Sequence, residues 1–371
     1  MHRRHWTAAV LAILTIACGH SEPFDATVPT VGPSGVGPDV RLTFNSNQDY
    51  WPTWTADGQG ILYAFIPVGS NPEHRCIGLL PAAGGGGKWQ LCDDRATQTD
   101  SVSSFPAFAL SSDGRLLYVQ AVARRGPGST APAHVTLFLA DTAHPFKRQA
   151  LLSLPTAIAG MTVGWLSDIV WTGSTTFIAL AQDFGAAQHC RGCIAIDTLF
   201  LPGAVVRGTV SASGATLQLV AGTAGATSYA LAENGATIAF TLRDDRRLLK
   251  VPATGGAITT VATVTPAGNA QLLGVSCRGS TCIVAADPVT LTAIDGGPTL
   301  AAITAGPFEL RGVSLTTGAV QVLRTATGIL ATPQISPLSG DVVAQVGGAF
   351  GHIQTFTSSG SDLHLYQGII Q

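Results

Sequence analysis

The sequence predicts an all-β fold, a six-bladed β-propeller built from four-stranded antiparallel blades. Three observations predict it. A motif of an apolar strand, a glycine turn and a more strongly apolar strand recurs six times, and repeats of this length are typical of modular folds. Two further strand-like runs follow most copies, giving four strands per unit. The chain holds 43 Gly and 21 Pro, which suits tight turns, whereas the Glu and Lys that long helices use are scarce.

The motif is clearest in WPTWTADGQGILYAF, which begins at Trp51. The other copies begin at Phe105, Ser167, Ser228, Leu272 and Thr332. Their turn glycines lie 44 to 62 residues apart, at Gly58, Gly114, Gly173, Gly235, Gly279 and Gly340. Asp-Gly or Asn-Gly at three of these turns predicts two-residue hairpins, in which both central residues have positive φ.

The second pair of strands is clearest in RLLKVPATGGAITTVATV, residues 247–264, where Gly255 and Gly256 form the predicted turn. Comparable runs begin at Arg75, Val135 and Phe308. The last unit contains SDLHLYQ and then ends, so it lacks a fourth strand. We expect VRLTF, residues 40–44, to supply that strand and close the ring, which removes two exposed sheet edges. In the alternative, HIQTFT and DLHLYQ both form strands and VRLTF stays outside the ring.

The first unit resembles the repeat of TolB-type, WD40-like propellers. The matching residues in RLTFNSNQDYWPTWTADGQGILYAF are Leu42, Thr43, Asp49, Pro52, Trp54, Asp57 and Gly58. The second unit keeps Pro106, Asp113 and Gly114, and the sixth keeps Pro333, Ser336 and Pro337. The resemblance implies a propeller. It does not imply TolB's partner-binding role, because no α/β domain precedes the repeats here.

The N-terminus is predicted to be an export signal. Residues 1–17 combine the basic MHRRHW with a short apolar run, which is typical of a signal peptide. The run ends in Thr-Ile-Ala-Cys, which resembles the bacterial lipobox and implies diacylation of Cys18. Residues 18–39 are rich in Pro, Gly, Ser and Thr, as in a flexible tether. The predicted domains are therefore a signal at 1–17, a lipidated tether at 18–39 and the propeller at 40–371.

Six cysteines follow Cys18, and an even number in an exported chain indicates disulfides. Cys277 and Cys282 flank a predicted hairpin turn, and Cys76 and Cys92 lie on adjacent predicted strands. Cys190 and Cys193 share a long loop with His189. The preferred pairing is local, out of fifteen possible connectivities. A metal or redox site at His189, Cys190 and Cys193 is the alternative, but zinc takes four ligands and no second Cys-His cluster is near.

No compact catalytic motif occurs in the sequence. Gly-x-Ser-x-Gly, His-Glu-x-x-His, a phosphate loop and a dinucleotide fingerprint are all absent. The net charge of −2, with no basic block after the first residues, argues against nucleic acid as a partner. We expect no cofactor and no metal. Four tryptophans could form a sugar-binding platform, although packing between blades is the simpler interpretation: Trp51, Trp54, Trp165 and Trp171.

These observations predict a non-enzymatic propeller lipoprotein that binds a protein, peptide or glycan of the cell envelope. We expect a monomer held by its lipid at a membrane, and at the outer membrane if the host has two. The alternative is a lyase, lactonase or glycan hydrolase whose site is assembled from several blades around the central channel. The residues that line the channel should separate these hypotheses.

Overall fold

The computed structural model describes residues 39–43, 49–66, 75–84, 87, 89–92, 101–124, 134–182, 203–264, 271–293, 299–303, 307–326, 330–346 and 361–370. Over these residues the fold is all-β, with a single 3-10 turn at Glu233–Gly235. The described residues contain no helix with the length and apolar character needed to cross a membrane. The predicted all-β class is confirmed.

The strands of the first two units are β1 (Asp39–Arg41), β2 (Asp49–Trp54), β3 (Gly60–Phe65), β4 (Cys76–Pro81), β5 (Trp89–Cys92), β6 (Ser101–Leu110), β7 (Arg115–Arg124), β8 (His134–Asp141) and β9 (His144–Leu154). A small hairpin, β10 (Thr156–Ile158) and β11 (Met161–Val163), follows. The third and fourth units contain β12 (Trp165–Trp171), β13 (Thr176–Gln182), β14 (Gly203–Ser211), β15 (Gly214–Leu219), β16 (Ala226–Ala232), β17 (Thr237–Leu242), β18 (Arg247–Pro252) and β19 (Thr259–Thr263).

The last two units contain β20 (Gln271–Arg278), β21 (Thr281–Asp287), β22 (Val289–Ala293), β23 (Thr299–Ile303), β24 (Phe308–Ser314), β25 (Val320–Ala326), β26 (Leu330–Ile335), β27 (Val342–Val346) and β28 (Asp362–Tyr366). Strands β22 and β23 form a separate hairpin inserted between β21 and β24. The sequence analysis did not predict this hairpin or the one formed by β10 and β11.

The strands assemble into antiparallel sheets of four in chain order. Strands β2–β5 form one sheet, β6–β9 another, and β20, β21, β24 and β25 a third. Units three and four are joined into one eight-stranded sheet, but a single residue pair, Gly203 with Ala226, connects them. The last sheet has the order β1-β28-β27-β26, so the N-terminal strand pairs with the last strand of the chain. HIQTFT, the extra strand of the alternative scheme, lies outside the described residues.

The second strand of each unit is buried on both faces. In β3, Ile61 and Tyr63 pack toward the last unit, whereas Leu62 and Ala64 pack toward the second unit. Successive residues of a strand point to opposite faces, so a strand between two neighbours must be apolar throughout. This explains why the second strand of the sequence motif is the more strongly apolar one.

Among the described residues, six apolar clusters lie between units. Five of them join unit one to two, two to three, three to four, four to five, and five to six. The sixth packs Leu42, Val343 and Leu365 of the last sheet against Ile61 and neighbouring side chains of the first. Each cluster buries apolar side chains of two sheets against each other, which is the main source of stability for repeated sheets.

The hairpin turns lie where the glycines predicted them, but the two Asp-Gly turns are longer than expected. Between β2 and β3, only Gly58 has positive φ, at 63°, and the Thr55 amide donates to the Gly60 carbonyl. The Thr55 hydroxyl also accepts from the Gly60 amide at 2.9 Å. Ser111 repeats this contact with Arg115 in the second unit, also at 2.9 Å. The side-chain hydrogen bond stabilises a longer loop, so the predicted two-residue geometry is wrong at these turns.

Candidate functional site

The first strand of every unit carries a β-bulge at the same place. Two residues of one strand oppose one residue of the next in five of the units, at residues 51–52, 105–106, 168–169, 273–274 and 332–333, and residue 227 is the extra residue in unit four. Trp51, Asp168 and Thr332, the first residues of three bulges, all have φ between 45° and 49°. A bulge bends its strand and re-aims the side chains that follow it.

The bulge explains the prolines of the repeat motif. Pro52, Pro106 and Pro333 each occupy the second place of a bulge. Proline has no N–H to give to a sheet, and a bulge is a position inside a strand where that loss is tolerated. The prolines of the motif therefore mark the position of the bulge in the sequence, although they do not indicate its backbone conformation.

Residues in and after the bulges line a cavity of about 250 Å³. Its wall contains residues from β2, β6, β12, β16, β20 and β26, the first strand of every unit. Most of the lining is aromatic or aliphatic, including Trp54, Phe108, Trp171 and Tyr229. Thr, Ser and Gln side chains supply nearly all of the rest. A cavity of this character can hold an apolar or aromatic group and orient it with a few polar contacts.

Hydrogen bonds between adjacent first strands fix this wall. The indole N–H of Trp54 donates to the Gln334 carbonyl at 3.0 Å, and that of Trp171 donates to the Ala109 carbonyl at 3.2 Å. These two tryptophans occupy equivalent places, each three residues after the start of its bulge. The Tyr229 hydroxyl donates to the carbonyl of Asp168 at 2.6 Å. Each bond joins two units, so the positions of the aromatic rings depend on contacts between sheets.

Serines make the same kind of connection in the later units. The Val275 amide donates to the Ser228 hydroxyl, and the Ile335 amide donates to the Ser276 hydroxyl, both at 3.0 Å. These amides lie just beyond a bulge, where the sheet pairing is interrupted. Strands β20 and β26 are edge strands of their sheets, so a serine from the preceding unit accepts from an amide that faces away from the sheet.

Asp168 is the one charged residue among those that line the cavity in the described part of the chain. It is half-buried, and burial raises the pKa of its carboxyl to about 6. No described group donates a hydrogen bond to the carboxylate or forms an ion pair with it. The charge of Asp168, after the larger effect of burial, also raises the pKa of Tyr229. Sequence reasoning missed Asp168; the only available signal was its alignment with Trp51 in the repeat.

The four predicted tryptophans divide between two roles. Trp165 is fully buried in the apolar cluster between units two and three, as the packing interpretation expects. Trp51 packs between units one and two and also reaches the cavity. Trp54 and Trp171 are half-buried and line the cavity. Three of the four tryptophans therefore line the cavity and Trp165 does not, whereas a sugar-binding role stays a prediction.

The structure contains two of the three predicted cysteine pairs. A disulfide links Cys76 of β4 to Cys92 of β5, and another links Cys277 to Cys282 across the turn between β20 and β21. Cys190 and Cys193 lie outside the described residues, as does Cys18. Among the described residues, no group of three or more His, Cys, Asp or Glu side chains could hold a metal ion.

Two other charged pairs lie away from the cavity. Arg247 forms a salt bridge with Asp245 at 2.6 Å at the tip of the hairpin between β17 and β18. The ring of His364 lies 2.8 Å from the Asp39 carboxylate and so connects β28 to β1. These pairs support the hairpin tip and the junction of the terminal strands.

No protein-family model matches the sequence, and no curated protein matches it. Among solved structures, the chain is similar to a gluconolactonase from Xanthomonas campestris, with a TM-score of 0.53, 11% identity and coverage of 89% of each chain. It is also similar to the calcium-binding protein regucalcin from Agrobacterium tumefaciens, with a TM-score of 0.50, 15% identity and coverage of 88% of this chain and 92% of that one.

A putative TolB from Agrobacterium tumefaciens is matched at a TM-score of 0.46 and 10% identity, over 88% of this chain and 92% of that one. At these identities a likeness concerns the fold alone. Together with the four-stranded antiparallel sheets in chain order, the similarities to the gluconolactonase and to regucalcin support an all-β, propeller-like fold.

Proposed function

We propose that this chain is a six-bladed propeller lipoprotein of the cell envelope that binds a partner in its central cavity and performs no chemical turnover there. The observation that carries the proposal is the composition of the cavity wall. It is aromatic and aliphatic, with a single carboxylate among the described lining residues. General acid–base or metal-assisted chemistry usually needs several converging polar groups.

Packing supports a closed ring of six blades. The apolar cluster between the last and first sheets, the pairing of β1 with β28, and the bond from Trp54 to the Gln334 carbonyl all connect the two ends of the chain. A ring of rigid sheets holds its cavity and its loops in fixed positions, which suits recognition.

The predicted signal and Cys18 support anchoring in the envelope. The disulfides at Cys76–Cys92 and Cys277–Cys282 are compatible with export to an oxidising compartment. Two acyl chains on Cys18 would hold the protein stably at a membrane. Replacing Cys18 with Ser should move the protein from the membrane fraction to the soluble fraction of the envelope and abolish palmitate labelling.

The partner hypothesis is tested by filling the cavity. Val170 lines the cavity and is 38% exposed, so Val170→Trp should block it. Ile258 is 52% exposed and does not line the cavity, which makes Ile258→Trp the matched control. We expect the yield of cross-linked envelope protein, peptide or glycan to fall at least tenfold in Val170→Trp and to equal the wild-type yield in Ile258→Trp.

An enzyme is the second candidate, because a half-buried carboxyl with a pKa of about 6 could act as a general base. Incubation with lactones and envelope glycans tests it. Turnover that disappears in Asp168→Asn would establish the enzyme and contradict the proposed non-enzymatic role.

A further inference from the structure

The carboxylate of Asp168 has no counter-charge in the cavity. The lining contains no Lys, Arg or His among the described residues, and no described donor contacts the carboxylate. The positive φ of Asp168, 49°, belongs to the bulge that directs this part of β12 toward the cavity. An ionised carboxylate in an apolar site is costly unless a cation or a donor pairs with it.

The aromatic wall is suited to a cation. Trp54 and Trp171 already use their indole N–H groups on backbone carbonyls, so a ligand in the cavity would contact only their rings. The guanidinium of Arg115, which does not line the cavity, lies over the Trp171 ring at 5.2 Å from its centre, so one face of this ring already has a cation beside it. Cations bind favourably over the face of Trp, most strongly where water is excluded.

The cavity is too small for a large ligand. Its volume of about 250 Å³ is below the roughly 300–1,000 Å³ that is usual for drug-sized molecules. We propose that the central cavity takes one ammonium or guanidinium group on a slender alkyl chain, as in a Lys or Arg side chain of a partner polypeptide, with Asp168 as its counter-ion. This inference rests on the proposed function, since it specifies the chemistry of the bound partner.

Binding should depend on pH through Asp168. The titratable group in contact with this residue is Tyr229, whose hydroxyl donates to the Asp168 carbonyl. Arg115 lies over the Trp171 ring, outside the cavity lining, and pairs with Asp113. Strands β2, β6, β20 and β26 bring no titrating side chain into the lining. A bound cation favours the ionised carboxylate, so affinity should be constant above about pH 6 and fall up to tenfold per pH unit below it.

The test compares three probes on the purified protein: n-butylammonium, n-butanol and a short peptide with one central lysine. Binding is followed by NMR shifts and by tryptophan fluorescence between pH 5 and 8. The wild type should bind butylammonium and the lysine peptide at least tenfold more tightly than butanol at pH 7.5. Asp168→Asn, which preserves the side-chain shape, should abolish that preference and the pH dependence. Asp141→Asn removes an exposed surface charge and should change neither.

The outcomes separate this inference from the proposed function. If butanol and butylammonium bind equally, or if Asp168→Asn binds butylammonium as tightly as the wild type, the cavity binds ligands but not through a cation, and the inference is wrong. If no probe binds and Val170→Trp leaves partner cross-linking intact, both proposals fail. Butylammonium binding that exceeds binding of the lysine peptide would indicate a free amine and overturn the assignment to a partner polypeptide. The pH series on the wild type tests the inference even if a variant does not fold.

Discussion

At the scale of single residues, a buried carboxyl group is costly to ionise, and Asp287 is such a group. Asp287 is fully buried at the end of β21, and burial raises the pKa of its carboxyl well above the usual value. One carboxylate oxygen accepts from the Leu330 amide of the next unit at 2.7 Å, which partly offsets that effect. Asp287 therefore connects two units through an acceptor that does not need a negative charge.

We predict that this acid makes the protein more stable at mildly acidic pH. The folded state holds the proton of Asp287 more tightly than the unfolded state, so the free energy of unfolding falls as pH rises from about 4 toward the folded pKa. Asp287→Asn keeps an acceptor for Leu330 and should remove this slope, whereas Asp287→Ala should cost about 1–3 kcal/mol because the amide is left unsatisfied. Urea unfolding at several pH values measures both. An unchanged slope in Asp287→Asn would refute the assignment.

The residues that line the cavity were harder to predict from the sequence than the fold. Asp168 lies in a stretch that the repeat detected, yet its residue type gave no signal. Its place in the cavity lining depends on a bulge in β12 and on the assembly of six strands that are distant in sequence. Trp54 and Trp171 were identified as a group with Trp165, but composition could not separate the rings that face the cavity from the one in the core. To tell the cavity-lining tryptophans from the buried one, the direction of each side chain must be known, and that direction is fixed by the pairing register of the strand.

At the scale of strands and turns, the local sequence predicted where the hairpins lie but not the conformation of each turn. Glycines located the hairpins, but Thr55 and Ser111 extended two turns through side-chain hydrogen bonds. The hairpin of β22 and β23 was missed because its position between two predicted strands breaks the repeat. Adjacent strands placed Cys76 beside Cys92, and a turn placed Cys277 beside Cys282, so local spacing was sufficient there.

The two disulfides should contribute unequally to stability. Cys76 and Cys92 are separated by 16 residues and Cys277 and Cys282 by 5, so the first closes the larger loop in the unfolded chain. Chain entropy predicts a loss of about 3 kcal/mol for Cys76→Ser/Cys92→Ser and about 2 kcal/mol for Cys277→Ser/Cys282→Ser. Denaturant unfolding of the two double variants checks the order. A larger loss for the second pair would indicate that its position at the cavity wall matters more than loop length.

At the scale of the whole molecule, stability should depend on how the two ends of the chain meet. The sequence predicted this junction because the last unit lacked a fourth strand. Strand-like runs could be recognised there even though the unit keeps few residues of the motif. Leu42 is buried in the cluster between the last and first sheets, and its amide donates to the Leu363 carbonyl at 2.7 Å. Arg41 pairs with Asp362 at 2.7 Å, beside the contact of Asp39 with His364.

Deleting residues 39–43 should therefore destabilise every unit together. The deletion exposes the edge of β28 and the apolar cluster behind it, and an unpaired edge is a template for aggregation. We expect a fall in Tm by several degrees, as about 1–3 kcal/mol implies, and soluble aggregates in size-exclusion chromatography. Deleting residues 20–36 of the predicted tether is the matched control and should leave Tm unchanged. If the 39–43 deletion melts like the wild type, the terminal strand is a peripheral addition and the sheets are held together by packing alone.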